Sequence, residues 1–216
     1  MKRIAWIAAG AIGLVSCQSA QIADLARNER LCSASTFVTR SPGTRELFVA
    51  PVGDERALDA SPASLGGFPI AYDGDGRWSR PPQDMIGDAL RRDLAHSRIF
   101  SAVLPAARPD ALVLVPSIAE FHSGMAELEM GARSFADIAI RARVYGPSDD
   151  RGRRELLHDQ IYGVRESSSA AIVPMSTYVL AGRALRGAIA RLLRGLDASN
   201  VSRADVPAVL GLGGKD

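Results

Sequence analysis

Ser134-Phe135-Ala136-Asp137-Ile138-Ala139-Ile140-Arg141-Ala142-Arg143-Val144-Tyr145 is the stretch on which the fold turns. Ala136, Ile138, Ile140, Ala142 and Val144 fall on one side at a period of two, and Asp137, Arg141 and Arg143 fall on the other. Successive side chains of a strand point to opposite faces, so this pattern predicts a half-buried strand with one wet face. Gly146 to Gly152, containing Pro147, Asp149 and Asp150, reads as a turn. Arg154 to Ser167 then returns as the antiparallel partner.

Working outward, Ala111 to Phe121 is a strong apolar strand candidate, and Ile99 to Leu104 is a shorter one. Glu46 to Val52 is short, apolar and rich in β-formers, with Pro51 expected at its end because proline cannot donate to a ladder. Two segments repeat at helical spacing instead. Pro82 suits an opening turn, and Ile86, Ala89, Leu90 and Leu94 carry the stripe to Ser97. From Ser176, a plausible cap, to Leu196 a second stripe holds Tyr178, Ala181, Leu185, Ala188, Ile189 and Leu192. Residues 53 to 82 are rich in glycine and proline and show no period, so they read as one long loop.

The order is strand, loop, helix, two strands, hairpin, helix. It predicts an α+β fold, a mainly antiparallel sheet with two helices packed on one face. A single α/β domain is expected over 45–198, followed by a flexible tail over 199–216.

The N-terminus reads differently. Met1-Lys2-Arg3 precede an apolar run from Ile4 to Val15 that is too short for the ~20 residues a bilayer span needs. Charge, short apolar core and small Ser16 before Cys17 make an export signal over 1–16. Leu14-Val15-Ser16-Cys17 resembles the lipobox of bacterial lipoproteins, which implies cleavage between Ser16 and Cys17. It also implies a diacylglycerol and an N-acyl chain on Cys17. Residues 17–44 then read as a tether, within which Ile22 to Leu31 suits a short helix.

Composition narrows the classes further. Lys2 and Arg3 account for the formal net charge of +2, so the mature body is near neutral and nothing in it points to nucleic acid. Cys17 and Cys32 are the only cysteines, and acylation of Cys17 leaves Cys32 without an intrachain partner. The alternative, a Cys17–Cys32 disulfide in a chain that is not a lipoprotein, stays open at the level of sequence.

Beyond the lipobox, Leu47-Phe48-Val49-Ala50-Pro51-Val52-Gly53-Asp54-Glu55-Arg56 precedes the helix opened by Pro82, with its Leu90 and Leu94, and then Phe100. Ala111-Leu112-Val113-Leu114, Ile118 and Phe121 follow. This pattern resembles the bacterial envelope lipoproteins that are auxiliary components of transport systems, including the paraquat-inducible lipid-transport type, and lipoproteins with a TolB-N-like domain. The resemblance implies a non-catalytic accessory or assembly partner of a membrane transport complex. Gln18, where aspartate would favour inner-membrane retention, implies the outer membrane with the body facing the periplasm. Two alternatives are a lipoprotein subunit of an outer-membrane secretion or motility structure, and a periplasmic binder of lipid or another small ligand.

No catalytic constellation emerges. His96, His122 and His158 are scattered over a helix end and two strands, and no Gly-x-Ser-x-Gly elbow occurs. Glu120 with His122, and His158 with Gln160, share strand faces without metal-ligand spacing. Asp73-Gly74-Asp75-Gly76 starts like a calcium loop, but Arg77 stands at the third ligand position. No enzyme, metal or further cofactor is therefore expected. Two partner-binding surfaces remain: Phe68, Tyr72 and Trp78 in the long loop, which either dock a partner or fold back on the core, and Arg183, Arg191 and Arg194 on the last helix.

Overall fold

The computed structural model describes residues 24–56, 70–72, 78–128, 131–169 and 175–203. The signal segment, Ser16, Cys17, Phe68 and residues 204–216 lie outside them. Described strands are β1 Glu46–Val49, β2 Gly53–Asp54, β3 Ile70–Tyr72, β4 Ala102–Leu104, β5 Leu112–Leu128, β6 Gly131–Ser148 and β7 Arg154–Ser169. The helices are α1 Pro82–Ser97 and α2 Thr177–Ala198.

Strands run in the order β4-β1-β5-β6-β7, with β2 and β3 also paired to β5. The long β5–β6 and β6–β7 pairings are antiparallel and dominate the sheet. β1 lies parallel to both β4 and β5. The fold is therefore the expected α+β arrangement with a mostly antiparallel sheet, and α1 bridges the parallel pair β1 and β4. Parallel neighbours need such a crossover because a tight turn cannot reverse the chain twice.

The alternation of β6 decides which face the helices cover. Ala136, Ile138, Ile140, Ala142 and Val144 are all buried, while Arg141 and Arg143 are only half-buried on the far face. On that far face Arg141 pairs with Asp159 at 2.7 Å, Arg143 with Glu55 at 2.7 Å, and Arg165 with Asp137. β5 keeps its apolar side inward by a bulge between Ile118 and Glu120. Ile118 stays opposite Ile140 and Phe121 opposite Ile138, while Glu120 pairs in register with Ala139. One extra residue in a strand shifts every later side chain to the other face, and here it keeps Phe121 in the core.

α1 spans the predicted residues, with Pro82 in its first turn and Asp84 there to complement the helix dipole. Arg98 ends it in the left-handed region, with φ 57°. α1 buries Met85, Ile86, Ala89, Leu90 and Leu94. α2 runs two residues beyond Leu196, and Ser176 precedes it without a side-chain capping bond.

Two expectations change at the ends of the domain. The chain from Asp24 to Thr44 is a strap on the body. Leu25 and Cys32 are 0 % exposed, Ser35 N–H donates to Asp93 Oδ2 at 3.1 Å, and Thr39 N–H donates to the Ser97 carbonyl at 2.9 Å. Turns, with Asn28 N–H on the Asp24 carbonyl, stand where a short helix was expected. At the other end Ser202 is buried, and its carbonyl accepts the N–H groups of Thr44 and Arg45. The body thus extends over 24–203, because backbone donors rather than an apolar stripe hold both flanking segments. The long loop also contributes β2 and β3 to the sheet.

Candidate functional site

Trp78 is buried, 7 % exposed, and settles the choice for its part of the loop. Its ring stands edge-on to Phe121 at 5.6 Å and to Tyr178 at 5.0 Å, joining β5 to the start of α2. Such edge-to-face pairs add about 0.5–1.5 kcal/mol each beyond area burial. Trp78 folds back on the core and is not a docking residue. Tyr72 pairs in register with Gly124 on β5; its side chain and Phe68 lie outside the described residues.

The α2 arginines do not act as one face. Arg191 donates to the Gly163 carbonyl of β7 at 2.6 Å, and Arg194 donates to the Ala190 carbonyl at 3.0 Å. Arg183 instead lines a cleft of about 620 Å³. Arg186, three residues on, lines it too and donates to Ser33 Oγ at 2.9 Å. Ser35 and Thr36 from the strap and Glu166 from β7 complete its polar lining, with Ala34 and Ala190 as small apolar neighbours. The sequence signal for Arg186 was its spacing from Arg183, since residues three apart are helix neighbours. Nothing local in the sequence links Ser33 or Glu166 to them, because the fold brings those residues from 153 positions before Arg186 and from a separate strand.

Charge in this cleft is not paired within the described residues. Arg183, Arg186 and Glu166 make no ion pair among the described residues, whereas Arg80, Arg92, Arg108, Arg141, Arg143 and Arg165 all do. A smaller cleft of about 260 Å³ beside α1 holds Arg80, Arg91 and Asp88. Its Arg80 is already committed to Asp24 at 2.9 Å and Asp88 at 2.8 Å. Burial pushes the Asp24 carboxyl up, but the Arg80 guanidinium and the N–H groups of Arg27 and Ala26 pull it below the usual range. That constellation closes the strap against α1 and offers no free cation.

The remaining polar chemistry is internal. His158 Nε2 lies 2.9 Å from the Tyr162 hydroxyl, which donates to Gln160 Oε1 at 3.0 Å. With that hydroxyl donating to Gln160, the Tyr162 oxygen can accept from the Nε2–H tautomer of His158. Burial holds the imidazole below its ordinary pKa, and Asp159 opposes this only in part. Among the described residues these bonds link His158, Tyr162 and Gln160 to one another along β7. Among the described residues no group of three or more His, Cys, Asp or Glu gathers in a way that holds a metal.

No family model matches the chain, and no curated protein matches it. Among solved structures, protein XCC0632 from Xanthomonas campestris, of family-model DUF330, is similar with a TM-score of 0.47 at 18% identity, over 76% of this chain and 88% of that one. The hypothetical protein CT253 from Chlamydia trachomatis gives 0.41 at 14% identity, over 73% and 99%. A minor lipoprotein from Acinetobacter baumannii gives 0.40 at 12%, over 74% and 96%.

Proposed function

We propose that this chain is a lipid-anchored, non-enzymatic protein of the bacterial cell envelope whose body serves as an accessory partner of a membrane transport complex. The observation that carries the reading is the distance along the chain from the lipobox cysteine to Asp24, the first described residue. Cys17 precedes Asp24 by seven residues, a leash of at most about 25 Å when fully extended. Asp24 is itself pinned, its carboxylate accepting the N–H groups of Ala26 and Arg27 and the Arg80 guanidinium. The acyl chains therefore hold the body close against the bilayer rather than on a long tether.

Acylation supplies the anchor because each buried methylene contributes about 0.8 kcal/mol, and two or more chains make the attachment stable. Confinement to one surface raises the effective concentration of the body toward envelope proteins there. Gln18 supports the outer membrane as that surface, with the body in the periplasm. The resemblance of about residues 46–196 to transport-auxiliary lipoproteins supports the class of partner.

Fractionation of cells expressing the wild-type chain and Cys17→Ser tests this reading. Wild type stays with membranes and co-purifies with another envelope protein after crosslinking, and Cys17→Ser is released. Membrane retention of Cys17→Ser, or a wild-type chain crosslinked to nothing, overturns it.

A further inference from the structure

We infer that the cleft between α2 and residues 33–36 binds an amine-bearing phosphate of the phosphoethanolamine type, its phosphoryl oxygens on Arg183 and Arg186 and its ammonium on Glu166. The site goes beyond the anchoring proposal, because it is built by the folded body alone.

Three observations converge on this ligand. Arg183 and Arg186 are exposed one helical turn apart, and both line the same cleft of about 620 Å³. Ser33 Oγ holds one guanidinium nitrogen of Arg186 at 2.9 Å, which orients the side chain while leaving its other N–H groups to a ligand. Glu166 lines that same cleft from β7, yet the carboxylate pairs with neither arginine. Two cations and an anion that line one cleft without pairing leave a gap that a dipolar ligand bridges.

The donor set selects the chemistry. Two guanidiniums present more planar N–H forks than one carboxylate accepts, whereas a phosphoryl group offers two free oxygens as a diester and three as a monoester. Two cations against one anion leave the lining with a net positive charge, complementary to a phosphate and ammonium taken together. Glu166 needs a donor with N–H groups, so a primary ammonium fits and a quaternary one does not. Thr36 of the strap also lines the cleft. A free metabolite and a lipid headgroup both carry this chemistry.

The test uses the mature chain over 17–216 carrying Cys17→Ser, so that neither acyl chains nor the apolar run over 4–15 contributes to binding. Calorimetric titration with phosphoethanolamine gives saturable binding in the micromolar to millimolar range, and phosphocholine binds at least about fivefold more weakly. Arg183→Gln combined with Arg186→Gln weakens phosphoethanolamine about tenfold or more. Glu166→Gln also weakens it but leaves inorganic phosphate as tight as in the parent or tighter, a split that misfolding does not produce. Vesicles of phosphatidylethanolamine in phosphatidylcholine identify the source. Retention on them beyond pure phosphatidylcholine vesicles assigns a lipid headgroup, and binding of the free compound alone assigns a soluble ligand. Absence of binding at millimolar phosphoethanolamine, or binding indifferent to the arginine pair, overturns the inference.

Discussion

Gly195 of α2 lies directly on the ring of Tyr162 in β7, so closely that a methyl group at 195 would overlap the phenol. Glycine inside a helix is unfavourable by about 1 kcal/mol relative to alanine, so its presence near the end of α2 is explained by this approach. Gly187 lies close over Val164, where an added methyl group would make a tight contact rather than an overlap. Small residues at these two positions let a long helix sit low on an edge strand, and the Tyr162 hydroxyl remains free to bond His158 and Gln160.

Gly195→Ala therefore destabilises the protein despite its better helix propensity. Overpacking of this kind costs about 1–3 kcal/mol, which outweighs the ~1 kcal/mol gained from the helix. Thermal unfolding checks this as a lowered Tm. A raised Tm would mean that α2 stands off from β7.

The docked strap depends on Asp93. This fully buried carboxylate accepts Ser35 N–H at 3.1 Å and Arg92 Nε at 2.9 Å. Asp93→Ala leaves a buried N–H and a guanidinium without their partner, at a cost of about 2–4 kcal/mol. The measurable result is a lower urea midpoint and new proteolytic cleavage between residues 24 and 44. Unchanged protection of that stretch would show that the strap is held elsewhere.

The contrast between helices and strap shows what the sequence made legible. α1 was delimited correctly because Pro82 and the spacing of Ile86, Leu90 and Leu94 are local signals. The β6–β7 hairpin was legible because alternation needs only neighbours. Residues 24–44 carry neither period, and their attachment runs through backbone donors to Asp93, Ser97 and Ser202, partners that the local sequence does not announce. The parallel pairing of β1 with β4 and β5 is likewise set by a distant register. At the cleft, Arg183 was singled out from its helix face, whereas Glu166 and Ser33 join it only through the fold.

A pH dependence follows from His158. Burial depresses its folded pKa below the unfolded value of about 6.5, so the unfolded chain takes up the proton first as pH falls. The stability contributed is complete above about pH 6.5 and declines as pH drops below it. Carboxylates such as Asp54, held low by Arg56, lose their contribution in the same direction but at more acid pH. Urea midpoints for wild type and His158→Gln at pH 8 and pH 5 separate the two. The wild type loses more between these pH values than the variant, and equal losses would remove His158 as the cause.

Cys32 is a second readout of the docked strap. It is a free, fully buried thiol, and burial pushes its pKa up despite the cations of Arg92 and Arg186. Thiolate is the reactive form, so in a Cys17→Ser chain at pH 8 the native protein resists an aromatic disulfide reagent. Denaturant releases one thiol equivalent. Rapid native reaction would place Cys32 at the surface.

The account rests on Cys17. Intact-mass measurement of the mature chain recovered from membranes tests it most directly. The predicted result is a polypeptide beginning at Cys17, carrying a thioether-linked diacylglycerol and an N-acyl chain, with Cys32 reduced. A chain that begins elsewhere, or one with an unmodified Cys17 joined to Cys32 by a disulfide, would contradict it.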